Sequence, residues 1–172
     1  MRKLEIGSQT KLGPDWELMD IVPGPEVDVV ADLAKRLPFE DGAFDLVYMS
    51  HVLEHVPWFK TVDVLVEVRR ILKVGGMVEI WVPDFGLIVE GYLKGEPQDG
   101  WRRRNPDGDP MLWVNGRIFT YGPEPNWHRA AFDQAHLCRC LRDAGFLPEV
   151  WPLDRPRGTD HGPINLGLGA RK

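Results

Sequence analysis

Short apolar runs divided by turn residues organise the first half of the chain. KLEI at 3–6 reads as a buried strand ending at Gly7. WELMDIV at 16–22, VDVVADL at 27–33, FDLVYMS at 44–50 and MVEIWVP at 77–83 read as four more. Runs this apolar suit strands covered on both faces, as in a parallel sheet. Between the fourth and fifth, WFKTVDVLVEVRRILKVGG changes period. Val62, Leu65, Val66, Val68 and Leu72 predict a helix with a broad buried side, and Asp63 and Glu67 share its outer face. Gly75-Gly76 is its predicted stop. Strand, helix and strand together make a βαβ unit of right-handed crossover.

The second half has a different rhythm. DFGLIVEGYL at 84–93 predicts a short helix, and residues 94–127 show no clear period. FDQAHLCRCLRDAGF at 132–146 predicts another helix. Asp133 caps it, Leu137 and Leu141 face inward, and Gly145 ends it. FLPEVWPL at 146–153 and INLGLGAR at 164–171 read as two closing strands. The pattern shows no internal repeat and no second domain. It predicts one domain over 1–172 with an insertion at about 94–130, long enough to be functional.

Composition narrows the function classes. The 172 residues are 43% hydrophobic and 27% charged, which excludes wholesale disorder. A net charge of −5 argues against nucleic acid as a partner. No apolar run reaches the roughly 18 residues of a membrane span. The start MRKLEIGS has no long apolar stretch, so no signal peptide is expected and the cytoplasm is the expected location. Cys138 and Cys140 sit two apart in a helical pattern and face different sides, so no disulfide framework is expected.

The order of these elements resembles the class I S-adenosylmethionine-dependent methyltransferases, in their small, type 11-like branch. The resemblance covers most of the chain and is strongest over 3–84. It rests on LEIGS, LMDIV, VVADLAKRLPFEDGAFDLVYMSHVLEHV and RRILKVGGMVEIWVPD, in that order. It implies an α/β, Rossmann-like fold with a mostly parallel seven-stranded sheet. It also implies S-adenosylmethionine as cofactor and methyl transfer to a small molecule or saccharide, preferably at a hydroxyl. In an open parallel sheet the ligand lies beyond the carboxyl ends of the strands. Gly7 ends the first strand, where a backbone must come close to a cofactor, with Ser8 beside it. Asp20, before Ile21, ends the second, where a carboxylate can accept from two ribose hydroxyls. Asp32, before Leu33, ends the third, where a carboxylate meets an adenine amino group. Ser50 and His51 end the fourth, towards the reacting end. Glu5 within the first strand is expected to anchor the first loop.

The chain departs from the family pattern in two places. The first glycine motif runs Gly7-Ser8-Gln9-Thr10-Lys11, with a long side chain at Gln9. Gly7 to Asp20 is 13 positions and Asp20 to Asp32 is 12, too short for the usual crossover helices. The N-terminal helices are therefore missing or reduced, one sheet face is thinly covered, and a second copy or a partner protein is expected over it. These departures also support another reading, a non-catalytic module of the same fold that serves as an interaction partner. A nicotinamide-binding protein is disfavoured, because G-x-G-x-x-G is absent.

A hydroxyl nucleophile benefits from a general base, most often His. His128, in PNWHRAAFD before the late helix, and His51 are the candidates. Trp127, Arg129, Tyr121 and Arg103 are the candidate acceptor contacts, as flat walls and anion clamps. His51 and His55 in SHVLEHV, with Glu54, invite a metal reading. The sequence offers no evident third ligand, so no metal is expected and His55 reads as a packing residue.

Overall fold

The computed structural model describes residues 1–95, 108–120, 126–146 and 149–172. Five parallel strands come first. These are β1 (Lys3–Ile6), β2 (Trp16–Asp20), β3 (Val29–Val30), β4 (Phe44–Ser50) and β5 (Leu72–Pro83). Helix α1 (Thr61–Ile71) links β4 to β5. After β5 come α2 (Phe85–Lys94), α3 (Pro110–Phe119) and α4 (Gln134–Asp143), then β6 (Val150–Pro152) and β7 (Asn165–Arg171). The sheet has seven strands in the order β3-β2-β1-β4-β5-β7-β6, with β7 antiparallel to both neighbours. The expected Rossmann-like architecture is present. No helix intervenes from β1 to β4, as the short spacings imply.

The first face of the sheet is covered by helices. Leu4, Met49, Val78, Ile80 and Leu168 pack with Val64, Leu65, Val68 and Ile71 of α1 and with Leu137 and Leu141 of α4. The 31–43 connection takes the place of a helix on this side and adds buried Leu33 and Leu37. Arg70 fixes that connection through the carbonyls of Leu37 and Phe39 and the carboxylate of Asp41. Its guanidinium is pushed above the ordinary arginine range, chiefly by its bond to Glu67.

The second face is closed differently. Trp16, Leu46, Tyr48 and Trp81 form a separate buried cluster with Leu12, Met77 and Leu153. No helix residue joins it among the described residues. Residues 153–158 cross this face, and Arg157 donates from Nε and Nη2 to the two Glu79 carboxylate oxygens at 2.6 Å. A Cβ at Gly167 would lie 2.5 Å from the Trp81 ring, and one at Gly169 2.5 Å from Trp151. Glycine in β7 therefore lets these indoles lie flat on the strand. The strand side chains expected to be exposed on this face are instead buried by the chain's own loops.

Several boundaries move. The α1 helix ends at Ile71, because Leu72 is extended and already pairs with Phe44. Gly75-Gly76 instead shapes an irregularity in β5 opposite Phe44–Leu46, where Gly75 has φ +79°. Val66, expected inside, is half exposed, and Thr61 and Val64 take the buried side. The third strand shrinks to Val29–Val30. The α3 helix lies inside the supposedly aperiodic insertion. Asp109 caps it by accepting from the Met111 amide at 2.9 Å, and Pro110 occupies its first turn.

Candidate functional site

The strand order reverses between β1 and β4, so the carboxyl ends of these strands diverge and leave a crevice. A cleft of about 440 Å³ occupies that place. Its floor is apolar: Ile6, Met19, Ala31, Leu33 and Val52. Asp20 and Asp32 stand on its rim, with Ile21 and Val22 beside them, 56% and 48% exposed. His51, His55 and Arg129 form the wall opposite.

Both rim carboxylates also shape their own turns. Asp20 Oδ1 accepts from the Val22 amide at 2.7 Å, and Asp32 Oδ1 from the Ala34 amide at 2.9 Å. An ionised carboxylate has about four acceptor positions. Each therefore keeps capacity for a ligand's hydroxyl or amino group. An apolar floor between two such carboxylates fits an adenosyl group: a flat ring beneath, hydroxyls and an amine at the edges. Gly7 has φ +85°, and a Cβ there would lie 2.6 Å from Val52. The close approach that requires this glycine is to the chain itself.

The predicted cofactor residues divide between two cavities. Gly7, Asp20, Ile21, Asp32, Leu33 and His51 line the main cleft. Glu5, Ser8 and Ser50 instead line a second cavity of about 350 Å³, which shares Gly7 and is closed by Tyr48, Gly158 and His161. Glu5 anchors the first loop by accepting from the Leu12 amide at 2.9 Å. Burial pushes its carboxyl above the ordinary range. Gln9 does not line the main cleft, since its Nε2 donates to the Val22 carbonyl at 3.2 Å and its tip packs against Gly24.

At the end of β4 the backbone turns sharply, and His51 takes φ +54°, a conformation rare for residues other than glycine. Its Nε2 donates to Asn165 Oδ1 at 2.9 Å. Its Nδ1 lies 3.2 Å from Glu54 Oε1, outside hydrogen-bonding angles. The His161 ring lies against it, with centroids 3.9 Å apart. His55 and His128 form a second imidazole pair at 4.9 Å. Burial pushes both His128 and His161 below the ordinary histidine range. Four of the five histidines thus meet at one end of the sheet.

His128 does not line the main cleft. It sits in a small recess with Arg117, Phe85 and Ile88, and its Nδ1 donates to the Arg117 carbonyl at 3.1 Å. Trp127 is half exposed and offers its carbonyl to His55 Nδ1 at 3.3 Å. Of the candidate acceptor contacts, Arg129 lines the cleft, whereas Arg103 and Tyr121 lie outside the described residues. Sequence reasoning missed Asn126 and Val52 in the cleft lining, and the pairing of His51 with Asn165 and His161. The only signal for the latter was the polar cluster DHGPIN before the last strand.

Residues 13–80 match the family model of a methyltransferase domain. Demethylmenaquinone methyltransferase of Lysinibacillus sphaericus is 38% identical over 80 residues, 43% of this chain and 33% of that protein. The chain spans about a third of the length of the curated relatives it matches. Among solved structures, an S-adenosylmethionine-dependent methyltransferase of Archaeoglobus fulgidus aligns over 99% of this chain and 86% of its own, with a TM-score of 0.63 and 15% identity. The 1,6-didemethyltoxoflavin-N1-methyltransferase of Burkholderia thailandensis, solved with S-adenosylhomocysteine, aligns over 98% and 70%, with a TM-score of 0.59 and 19% identity. Among the described residues, no helix is long and apolar enough to cross a membrane. Its strand order and cleft give this chain the fold of the class I S-adenosylmethionine-dependent methyltransferases, and residues 13–80 carry the similarity to a methyltransferase domain.

Proposed function

We propose that the chain binds S-adenosylmethionine in the main cleft and transfers its methyl group to a small-molecule or saccharide acceptor, preferably at a hydroxyl oxygen. One observation carries the reading: two carboxylates, Asp20 at the end of β2 and Asp32 just after β3, flank an apolar floor at the point where the strand order reverses. When bound, the cofactor supplies a methyl group on a sulfonium, which a nucleophile displaces in line. The chain's part is alignment and proton transfer. Asp20 accepts from the ribose hydroxyls and Asp32 from the adenine amine. His51, oriented by the bond from its Nε2 to Asn165 Oδ1, takes the acceptor's proton at Nδ1. Arg129 on the same wall holds an anionic or polyhydroxylated part of the acceptor. His51 suits the base role better than His128, because only His51 lines the cleft.

Calorimetric titration with S-adenosylmethionine and S-adenosylhomocysteine tests the proposal. The expected result is micromolar binding of both, about −8 kcal/mol. Removing a charged acceptor of ligand hydrogen bonds removes about 1.5–3 kcal/mol, so Asp20→Ala is expected to bind roughly 10- to 100-fold more weakly. Asp20→Asn, which keeps an acceptor for the Val22 amide, separates that loss from damage to the turn. Undiminished binding by Asp20→Ala would overturn the residue assignment. No binding at millimolar ligand would overturn the function.

A further inference from the structure

The fold brings one buried carboxylate and two imidazoles to a point beside the cleft. Glu54, His55 and His128 each offer a ligating atom, and these atoms lie within 4.8 Å of one another. Glu54 and His55 belong to the 3₁₀ turn Leu53–His55 that follows β4. His128 arrives on the segment before α4. The amides of Arg129 and Ala130 bind that segment to the Glu54 carbonyl at 2.7 and 3.1 Å.

Two further observations separate this cluster from an ordinary polar contact. Glu54 is 1% exposed, yet among the described residues neither carboxylate oxygen has a hydrogen-bond partner. A buried carboxylate is costly unless a cation compensates it, and His51 Nδ1 approaches it at 3.2 Å outside hydrogen-bonding angles. Each of the two imidazoles also has its Nδ1 on a backbone carbonyl, His55 on Trp127 and His128 on Arg117. A carbonyl only accepts, so Nδ1 carries the proton in both rings and Nε2 keeps its lone pair. Metal-ligating histidines are oriented by the same kind of bond to a carbonyl.

We propose that Glu54, His55 and His128 bind a divalent first-row transition cation of the zinc class. Two imidazoles and a carboxylate are a ligand set for such ions, whereas magnesium and calcium favour oxygen alone. Ligands around tetrahedral zinc stand about 3.3 Å apart, given zinc–nitrogen distances of about 2.0 Å. The three ligating atoms, within 4.8 Å of one another, must draw in to meet it, and the bonds from the Arg129 and Ala130 amides to the Glu54 carbonyl already hold the two backbone segments together. His55 also lines the cleft, so the cation sits at the cleft wall. There, on the methyl-transfer reading above, its open coordination position takes the acceptor oxygen and favours loss of the proton.

The test is direct metal binding without S-adenosylmethionine. Protein stripped with a chelator is titrated with Zn²⁺ by calorimetry and with Co²⁺ by visible absorption. One equivalent is expected, with the intense d–d bands of low-coordinate cobalt. Glu54→Gln and His128→Ala are each expected to bind at least about 100-fold more weakly and to lose the zinc-induced rise in Tm. His136→Ala, on α4 beside Cys140, is expected to bind normally. His55→Ala provides a further ligand deletion should Glu54→Gln fail to fold. Absence of binding at about millimolar zinc would overturn the site. So would binding that survives Glu54→Gln and His128→Ala but is lost in His136→Ala. Loss of the metal site with S-adenosylmethionine binding intact removes this proposal alone, and the reverse pattern removes only the methyl-transfer reading.

Discussion

On one face of the sheet, α1 and α4 lay Leu65, Val68, Leu137 and Leu141 against strand residues that are apolar throughout. On the other, loops cover Trp16, Tyr48 and Trp81, and the sheet surface beneath them carries Glu5 and Glu79. The difference has a physical cause. A helix satisfies its own backbone amides, so it can present a purely apolar stripe. A loop cannot, so the surface under it must supply acceptors. Glu5 accepts from the Leu12 amide, and the Tyr48 hydroxyl accepts from the Arg157 amide at 3.2 Å. Glu79 receives the Arg157 guanidinium. The chain dispenses with helices on this face by writing hydrogen-bond acceptors into its strands and by laying indoles flat over glycine.

The largest effect should come from removing one of those indoles. Trp81→Ala deletes a ring that is 3% exposed and packed over Gly167. Deleting a buried Trp typically costs about 3–5 kcal/mol, a large part of the 5–15 kcal/mol total of a domain. Urea unfolding should show a correspondingly lower midpoint. A loss below about 1 kcal/mol would mean that the loop-covered face adds little, and that the helix-covered face alone holds the fold.

The two faces also differed in how well the sequence announced them. The strands on both were legible, because burial on two sides leaves continuous apolar runs. The role of Gly75-Gly76 was not, because a helix stop and a strand irregularity both call for glycine at positive φ. The α3 helix was hidden by its surroundings, although Asp109-Pro110 carried a start signal. At the site, Gly7, Asp20, Asp32 and His51 could be placed from strand ends alone, since topology fixes where those ends converge. The meeting of Glu54 and His55 with His128 could not. It depends on a segment 72 positions downstream folding back to bond His55 and the Glu54 carbonyl, and local pattern does not encode that contact.

A middle-sized effect should follow from the loop's main electrostatic contact. Arg157→Ala leaves Glu79, 8% exposed, without its partner. The Arg157 side chain is 43% exposed, so water screens the pair and can partly replace the guanidinium. A loss of about 1–2 kcal/mol is expected in urea unfolding. A double-mutant cycle with Glu79→Gln should show the two changes to be non-additive. Additive losses would mean that the 153–158 segment is held by Leu153 and the indoles rather than by this pair.

The smallest effect sharpens the comparison through pH. Burial raises the Glu5 carboxyl above its ordinary value, despite the bond from the Leu12 amide. The folded protein therefore binds this proton more tightly than the unfolded chain does. Glu5 lends most stability at acidic pH, and that contribution declines as pH rises from the unfolded carboxylate range through the folded value. Above the folded value the group is ionised in both states and its desolvation opposes folding. Glu5→Gln keeps an oxygen for the Leu12 amide but cannot titrate. The variant should be the more stable protein at pH 7, and the difference should shrink or reverse near pH 4. Urea midpoints for both proteins across this range measure it. Parallel profiles would show that Glu5 is solvated in the folded state, and that the loop over this face is looser than its hydrogen bonds suggest.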